Sequence, residues 1–242
     1  MPHIPRPSWA ALRSSAARPA PGRPALRRLA LLGAALAAAL AFAQPAAADG
    51  TADAADAQII AGDPFVNDDR PGTRCAIGVA VTAGFLADAA CGEAGDRIRG
   101  ADGGSGRVAW SSRTEGVMLV TADPGWTPTP LLRRGGGTTV VLGTDEAPVG
   151  SAVCRTGSGT GWQCGTIQAK NQSVATPDGI VTGLTRTDVC AEPGDRGGVY
   201  YTAGHVQGLL YGGSGNCSSG GTTFFQPIVP ILNRHGLTVV TG

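Results

Sequence analysis

Six cysteines and three histidines are the side chains of this chain that best suit redox, metal or acid–base chemistry. A zinc site needs close pairs such as Cys-x-x-Cys with histidine support, whereas the tightest cysteine spacing here is Cys154 to Cys164. The even number therefore predicts three disulfides outside the cytosol, no metal and no cofactor. The six are Cys75, Cys91, Cys154, Cys164, Cys190 and Cys217, and six cysteines allow fifteen pairings.

The first 48 residues have the pattern of a secretory signal peptide, which would place those cysteines in an oxidising compartment. A basic stretch ends in Arg27-Arg28, an apolar run follows over residues 29–42, and small residues lead to a predicted cut after Ala48. A transmembrane anchor is the alternative, but fourteen residues at about 1.5 Å each do not cross roughly 30 Å of hydrocarbon. We expect a secreted protein that has no membrane contact after the signal peptide is cleaved. Its export could follow the twin-arginine or the general route.

The net charge of +1 hides two segments of opposite sign. The leader carries six arginines and no acid, which leaves 13 basic against 18 acidic residues, a net charge of −5, in the rest. Nucleic-acid binding depends on Lys and Arg that neutralise phosphates, so an acidic domain without a basic stripe excludes nucleic acid as an expected partner.

Glycine and turn signals predict the elements that must position any site. With 38 glycines, 15% charged residues and a turn every eight to twelve residues, the exported part is typical of an all-β domain. Helical spacing of apolar residues predicts one helix over residues 228–234, ended by Gly236. The predicted strands are residues 77–82, 117–121, 138–142, 165–169, 180–185, 206–211 and 222–226.

Three segments carry a family resemblance. Residues 190–198, Cys-Ala-Glu-Pro-Gly-Asp-Arg-Gly-Gly, resemble the GDSGG nucleophile loop of chymotrypsin-fold serine peptidases. Residues 211–228 resemble the streptogrisins, and residues 152–171 resemble the α-lytic peptidase. The match runs from about Gln58 to the C-terminus, and several long motifs in the right order make it specific.

The resemblance implies a domain of two six-stranded antiparallel β-barrels over residues 58–242, with the cleft between them. The first barrel would cover residues 58–145 and the second, with the helix, residues 146–242. Residues 49–57 would be a short spacer, and we expect a monomer. The implied disulfides are Cys75–Cys91, Cys154–Cys164 and Cys190–Cys217. Arg155 and Asp195 would form a buried ion pair.

At the three positions where the family carries its catalytic residues, this chain has other residue types. The mechanism needs a Ser nucleophile, a His base and an Asp that orients the His. Arg196 stands at the serine, and Ala90 at the histidine of the family's TAGHC motif. Gly116 aligns with the aspartate, and a shift by one or two residues would offer Glu115 or Thr114 instead.

His205 is a further candidate for a catalytic residue, and several other residues match the family's substrate cleft. The sequence Thr-Ala-Gly before His205 matches the start of the TAGHC motif. Because the family has a hairpin turn at this place, we expect His205 to be a turn residue that faces solvent. Gly194 and Arg196 are the remnant of the oxyanion hole. The cleft wall is Leu210, Tyr211, Gly212 and Gly213, with Tyr211 where active members carry Ser. We expect Arg196 to plug or convert the old centre, turning toward Glu192 or Glu115.

Three functions remain open from the sequence. The first is a secreted, non-catalytic homologue that binds peptides or an extracellular protein in the remnant cleft. The second is an active secreted serine endopeptidase with non-standard catalytic residues. The third is a decayed relic without a selected activity.

Overall fold

The computed structural model describes residues 56–177 and 179–242. The predicted signal peptide and nearly all of the spacer lie outside the described residues. No helix in the described ranges is long and apolar enough to cross a bilayer. Within those same ranges, no cluster of three or more His, Cys, Asp or Glu is arranged to hold a metal ion.

The first half of the domain contains two hydrogen-bonded sheets. Seven strands lie in the order β3-β2-β6-β7-β8-β5-β4, and three lie in the order β1-β9-β10, where β1 runs parallel to β9. The strands are β1 (Ala57–Ala61), β2 (Pro64–Asn67), β3 (Arg74–Ala76), β4 (Ala80–Val81), β5 (Gly84–Asp88), β6 (Arg97–Gly100), β7 (Ser105–Ser112), β8 (Val117–Ala122), β9 (Trp126–Arg134) and β10 (Gly137–Val140).

The second half is a closed antiparallel barrel followed by a helix. The strand order is β11-β12-β13-β16-β15-β14. Its elements are β11 (Ala152–Arg155), β12 (Gln163–Thr176), β13 (Gly179–Thr187), β14 (Val199–Thr202), β15 (His205–Asn216), β16 (Gly220–Pro227) and α1 (Ile228–His235). The expected boundary at residues 145 and 146 falls in the connection between β10 and β11.

The all-β fold class with a short terminal helix is confirmed, while the first half departs in detail from a six-stranded barrel. The sequence predicts one strand over residues 77–82, but only Ala80 and Val81 pair as a strand, although residues 77–81 are all buried. Ile77 donates to the Asp63 carbonyl and accepts from the Gly62 N–H, so it bonds to the turn between β1 and β2. The strand is therefore shorter than predicted, because Ile77 uses its backbone hydrogen bonds on this turn instead of on a neighbouring strand.

One apolar cluster joins the two halves behind the cleft. Leu86 of β5 and Val117 of β8 pack in the same cluster as Val206 and Leu209 of β15 and Ile231 of α1. Helix α1 ends at Gly236, whose left-handed backbone (φ 61°) closes the last turn, as expected from the sequence. Burial of this apolar cluster fixes the position of β5, β8 and β15 relative to one another.

Three disulfides join the pairs that the resemblance implied: Cys75–Cys91, Cys154–Cys164 and Cys190–Cys217. Two of them hold segments of the cleft. Cys91 ends the short 3-10 turn Ala89–Cys91, and Cys190 begins the loop over residues 190–198, which we call the nucleophile-equivalent loop.

A fully buried ion pair anchors that loop to the barrel. Arg155 Nη2 on β11 donates to Asp195 Oδ2 at 3.1 Å, and both side chains are excluded from solvent. The Asp195 carboxylate also accepts from the backbone N–H groups of Gly159, Thr160 and Glu192. Burial alone would raise the pKa of Asp195, but the Glu192 N–H and the Arg155 charge hold it below the ordinary value.

Asp195→Asn should lower the free energy of unfolding by about 3 to 5 kcal/mol, because the Arg155 charge would remain buried without a counter-charge. The matched control is Asp69→Asn at the exposed Arg97–Asp69 pair (2.9 Å), where a much smaller loss is expected because solvent screens both charges. Urea denaturation of the parent and both variants measures the difference. Equal effects at the two sites would contradict a special role for the buried pair.

Candidate functional site

The cleft between the two halves holds a cavity of about 360 Å³. All three positions that align with the catalytic triad line this one cavity, although they lie on different elements. The positions are Ala90 in the 3-10 turn after β5, Gly116 just before β8, and Arg196 in the nucleophile-equivalent loop. No histidine belongs to the lining found among the described residues.

Gly116 leaves no room for a carboxylate. Its backbone is left-handed (φ 70°), and a Cβ built there would stand 2.5 Å from Cδ2 of Tyr211. The Tyr211 ring therefore occupies the space beside the aspartate-equivalent position. Tyr211 is the cleft-wall residue that stands where active members of the family carry Ser.

Glu115 and Thr114, the two shifted alternatives for the aspartate, are engaged away from this cavity. Glu115 accepts from Arg234 and lies 3.0 Å from Nε2 of His235, and Thr114 Oγ1 lies 3.3 Å from Ser112 Oγ. Burial would raise the pKa of Glu115, but His235 and Arg234 hold it below its ordinary value. These contacts tie helix α1 to the β7–β8 connection.

His205 is not a solvent-facing turn residue. It begins β15, is half-buried, and its Nδ1 accepts from the backbone N–H of Asp145 at 3.1 Å. The other described histidine, His235, stacks on Trp110 with ring centroids 4.1 Å apart. Both described histidines thus pack against other parts of the fold.

Arg196 faces an acidic partner that the sequence did not predict. Its Nη1 lies 3.5 Å from Oδ2 of Asp88 at the end of β5. The expectation that it turns toward Glu192 or Glu115 is wrong, since the Glu192 carboxylate accepts from the Cys217 N–H and Glu115 binds helix α1. The Arg196 side chain is 55% exposed, whereas that of Asp88 is 4% exposed.

Asp88 carries the most perturbed carboxylate of the cleft. Burial raises its pKa to about 6, against the opposing effects of the Ala90 N–H, which donates to Oδ1 at 2.6 Å, and of the Arg196 charge. The available signal in the sequence was a charged residue closing the apolar strand Gly-Phe-Leu-Ala-Asp, where the family's TAGHC motif has Ala. A buried carboxylate and a cation thus stand where nucleophile chemistry would occur.

The remnant of the oxyanion hole keeps a glycine backbone. Gly194 has φ 105°, a conformation that favours glycine, and its carbonyl accepts from Ser158 Oγ at 2.7 Å. The Arg196 carbonyl accepts from the Ala76 N–H at 2.9 Å, which ties the loop to β3. The loop is therefore held from both halves of the domain.

The cleft wall, Leu210 to Gly213, lies in the middle of β15. One edge of this strand pairs with β16, while its other edge pairs with β14 only as far as Leu209, and Leu210 donates to the Gly198 carbonyl. Beyond Leu210, no strand of the described chain covers this edge. A second cavity of about 230 Å³ adjoins it, lined by Arg196, Pro193, Leu210 and Gly213 among others.

The raised pKa of Asp88 predicts a pH-dependent stability. Because the carboxyl is more readily protonated folded (pKa about 6) than unfolded (3.8), its contribution is complete below pH 4 and is lost as pH rises through about 6. Relative to Asp88→Asn, the parent should lose about 2 to 3 kcal/mol between pH 4 and pH 7. Urea denaturation across this range measures the difference. Asp123→Asn, at an exposed carboxylate, is the control, and parallel curves for the parent and Asp88→Asn would refute the assignment.

Comparison with known proteins places this geometry in a family. The Trypsin family model matches residues 110–234, just over half of the chain. Streptogrisin-C of Streptomyces griseus is 47% identical over 176 residues, which cover 70% of this chain and 38% of the relative. The chain spans less than half the length of the first curated relatives that it matches.

Two solved structures agree over their whole length. Thermobifida fusca protease A shares 47% identity with a TM-score of 0.72, covering 77% of this chain and all of that one. Cellulomonas bogoriensis chymotrypsin shares 45% identity with a TM-score of 0.71, covering 76% of this chain and all of that one. The family model, the identity and the shared fold agree, and this chain belongs to the trypsin family of chymotrypsin-fold serine proteases.

Proposed function

We propose that this chain is an exported, non-hydrolytic member of the trypsin family that binds extended peptides in its cleft. The observation that carries the proposal is the lining of the 360 Å³ cavity, where Arg196, Ala90 and Gly116 occupy the three triad-equivalent positions. Similarity in fold does not transfer activity, because the chemistry belongs to the side chains of the site.

These side chains lack the parts that acyl transfer needs. A guanidinium has five donors, no nucleophilic oxygen and no accessible deprotonated form. The alanine methyl at position 90 accepts no proton. Among the described residues that line the cavity, Asp88 is the carboxylate placed to act as a base, but its hydrogen-bond partners are the Ala90 N–H and Arg196 rather than a hydroxyl. Asp88 therefore does not activate a nucleophile in this arrangement.

The wall of the cleft supports peptide binding. An extended peptide can add as a strand to the uncovered edge of β15, where main-chain hydrogen bonds give affinity and adjacent pockets give selectivity. Gly212 and Gly213 leave this edge without bulky side chains, and the 230 Å³ cavity next to them offers space for one side chain of the peptide. Binding along the wall needs no member of the triad.

Export is the second part of the proposal. Three disulfides in the described chain favour an oxidising compartment, because cytosolic thiols are kept reduced. The predicted signal peptide over residues 1–48 agrees with this location. We propose that the protein acts outside the cell as a monomer.

A fluorophosphonate probe tests the absence of catalysis. The parent should show no covalent labelling and no hydrolysis of chromogenic tetrapeptides between pH 5 and pH 9, because loss of the nucleophile or base alone lowers kcat by about 10⁶-fold. Thermobifida fusca protease A, with the same fold and 47% identity, is the comparison protein for both assays.

Stoichiometric labelling of the parent would overturn the proposal and favour an active endopeptidase with non-standard residues. A chain that is folded by circular dichroism but binds none of a library of extended peptides would instead favour a relic.

A further inference from the structure

Arg196 stands where the two cavities of the cleft meet. This residue lines both the 360 Å³ cavity and the 230 Å³ cavity beside the β15 wall. A peptide that adds to the edge of β15 and places a side chain in the smaller cavity brings its main chain to this guanidinium. The backbone group of the peptide at this point therefore contacts a guanidinium cation instead of a serine hydroxyl.

Most of the hydrogen-bonding capacity of this cation is directed to solvent. A guanidinium offers five N–H donors. The contact that the described chain supplies to the Arg196 head is one long approach to Asp88, 3.5 Å from Nη1 to Oδ2. The side chain is more than half exposed, so the group is held near a counter-charge without being consumed by it.

The two groups that a peptide can present to Arg196, an internal amide or a terminal carboxylate, differ in how strongly they bind a guanidinium. An internal amide presents a neutral carbonyl, which accepts a single ordinary hydrogen bond. A terminal carboxylate presents two anionic oxygens whose spacing matches the guanidinium fork, and such charge-assisted bidentate pairs are about twice as strong as neutral ones.

We propose that the cleft is a receptor for the free C-terminal carboxylate of extended peptides. This inference rests on the proposed peptide binding and names its ligand class. The peptide lies along β15, its last side chain enters the 230 Å³ cavity, and its carboxylate pairs with Arg196. Asp88 fixes the arginine from the opposite side and competes with the ligand for the same cation.

The test compares two fluorescein-labelled probes, Ala-Ala-Ala-Phe with a free acid and with a carboxamide C-terminus. Fluorescence anisotropy at pH 7.5 gives both dissociation constants for the parent, which should bind the free acid about tenfold or more tightly than the amide. Arg107→Ser, at an exposed arginine on β7, is the matched control and should leave this ratio unchanged.

Two variants should move the ratio in opposite directions. Arg196→Ser combined with Asp88→Ala, which restores the small family residues and leaves no buried charge unpaired, should reduce the preference to within about twofold. Asp88→Asn retains Arg196 and a side chain able to accept from the Ala90 N–H, yet removes the competing negative charge. It should therefore tighten binding of the free acid by about threefold or more, with a smaller change for the amide.

Equal affinity of the parent for both probes would overturn carboxylate recognition and leave peptide binding standing. Weaker binding of the free acid by Asp88→Asn would overturn it as well, even if the double variant failed to fold. Absence of binding of either probe at millimolar concentration would contradict the proposed peptide binding itself, and hydrolysis of the amide would contradict the proposed lack of catalysis.

Discussion

The buried pair between Arg155 and Asp195 is the constraint on which the geometry of the cleft depends. Two charges without solvent are tolerated only when each is compensated, and Asp195 receives three backbone N–H groups in addition to the guanidinium. Those bonds fix the residue next to Arg196 and thereby the direction in which position 196 leaves the loop. The shape of the loop thus depends on charge compensation at Asp195, one residue away from position 196.

The cavity lined by Ala90, Gly116 and Arg196 contains a second ion pair of a different kind. Arg155–Asp195 is closed, whereas Arg196–Asp88 joins a half-exposed cation to a buried carboxylate at 3.5 Å. The first pair holds the fold, and the second leaves a cation facing the cleft. Side chains therefore occupy much of this cavity: Tyr211 fills the space beside Gly116, and Arg196, Asp88 and Arg113 bring charged groups to the rest of the lining.

The sequence predicted the fold class, the terminal helix and the family, because the strand periodicity and the long motifs are local signals. It also identified Ala90, Gly116 and Arg196, which the structure brings to one cavity. It missed Asp88, because one acid at the end of an apolar strand has no meaning until its partner, 108 residues away, is known. The bonds of Ile77 to a turn were likewise beyond a local pattern, since they depend on which backbone groups lie nearby in space.

The unequal exposure of Arg196 and Asp88 makes the dependence within this pair one-sided. The arginine head lies largely in water, so without its counter-ion it would stay hydrated and the free-energy cost would be small. The Asp88 carboxylate is buried, so without the cation it would be more readily protonated or would destabilise the fold. A substitution at position 196 therefore changes the state of residue 88, whereas a substitution at position 88 costs the arginine little.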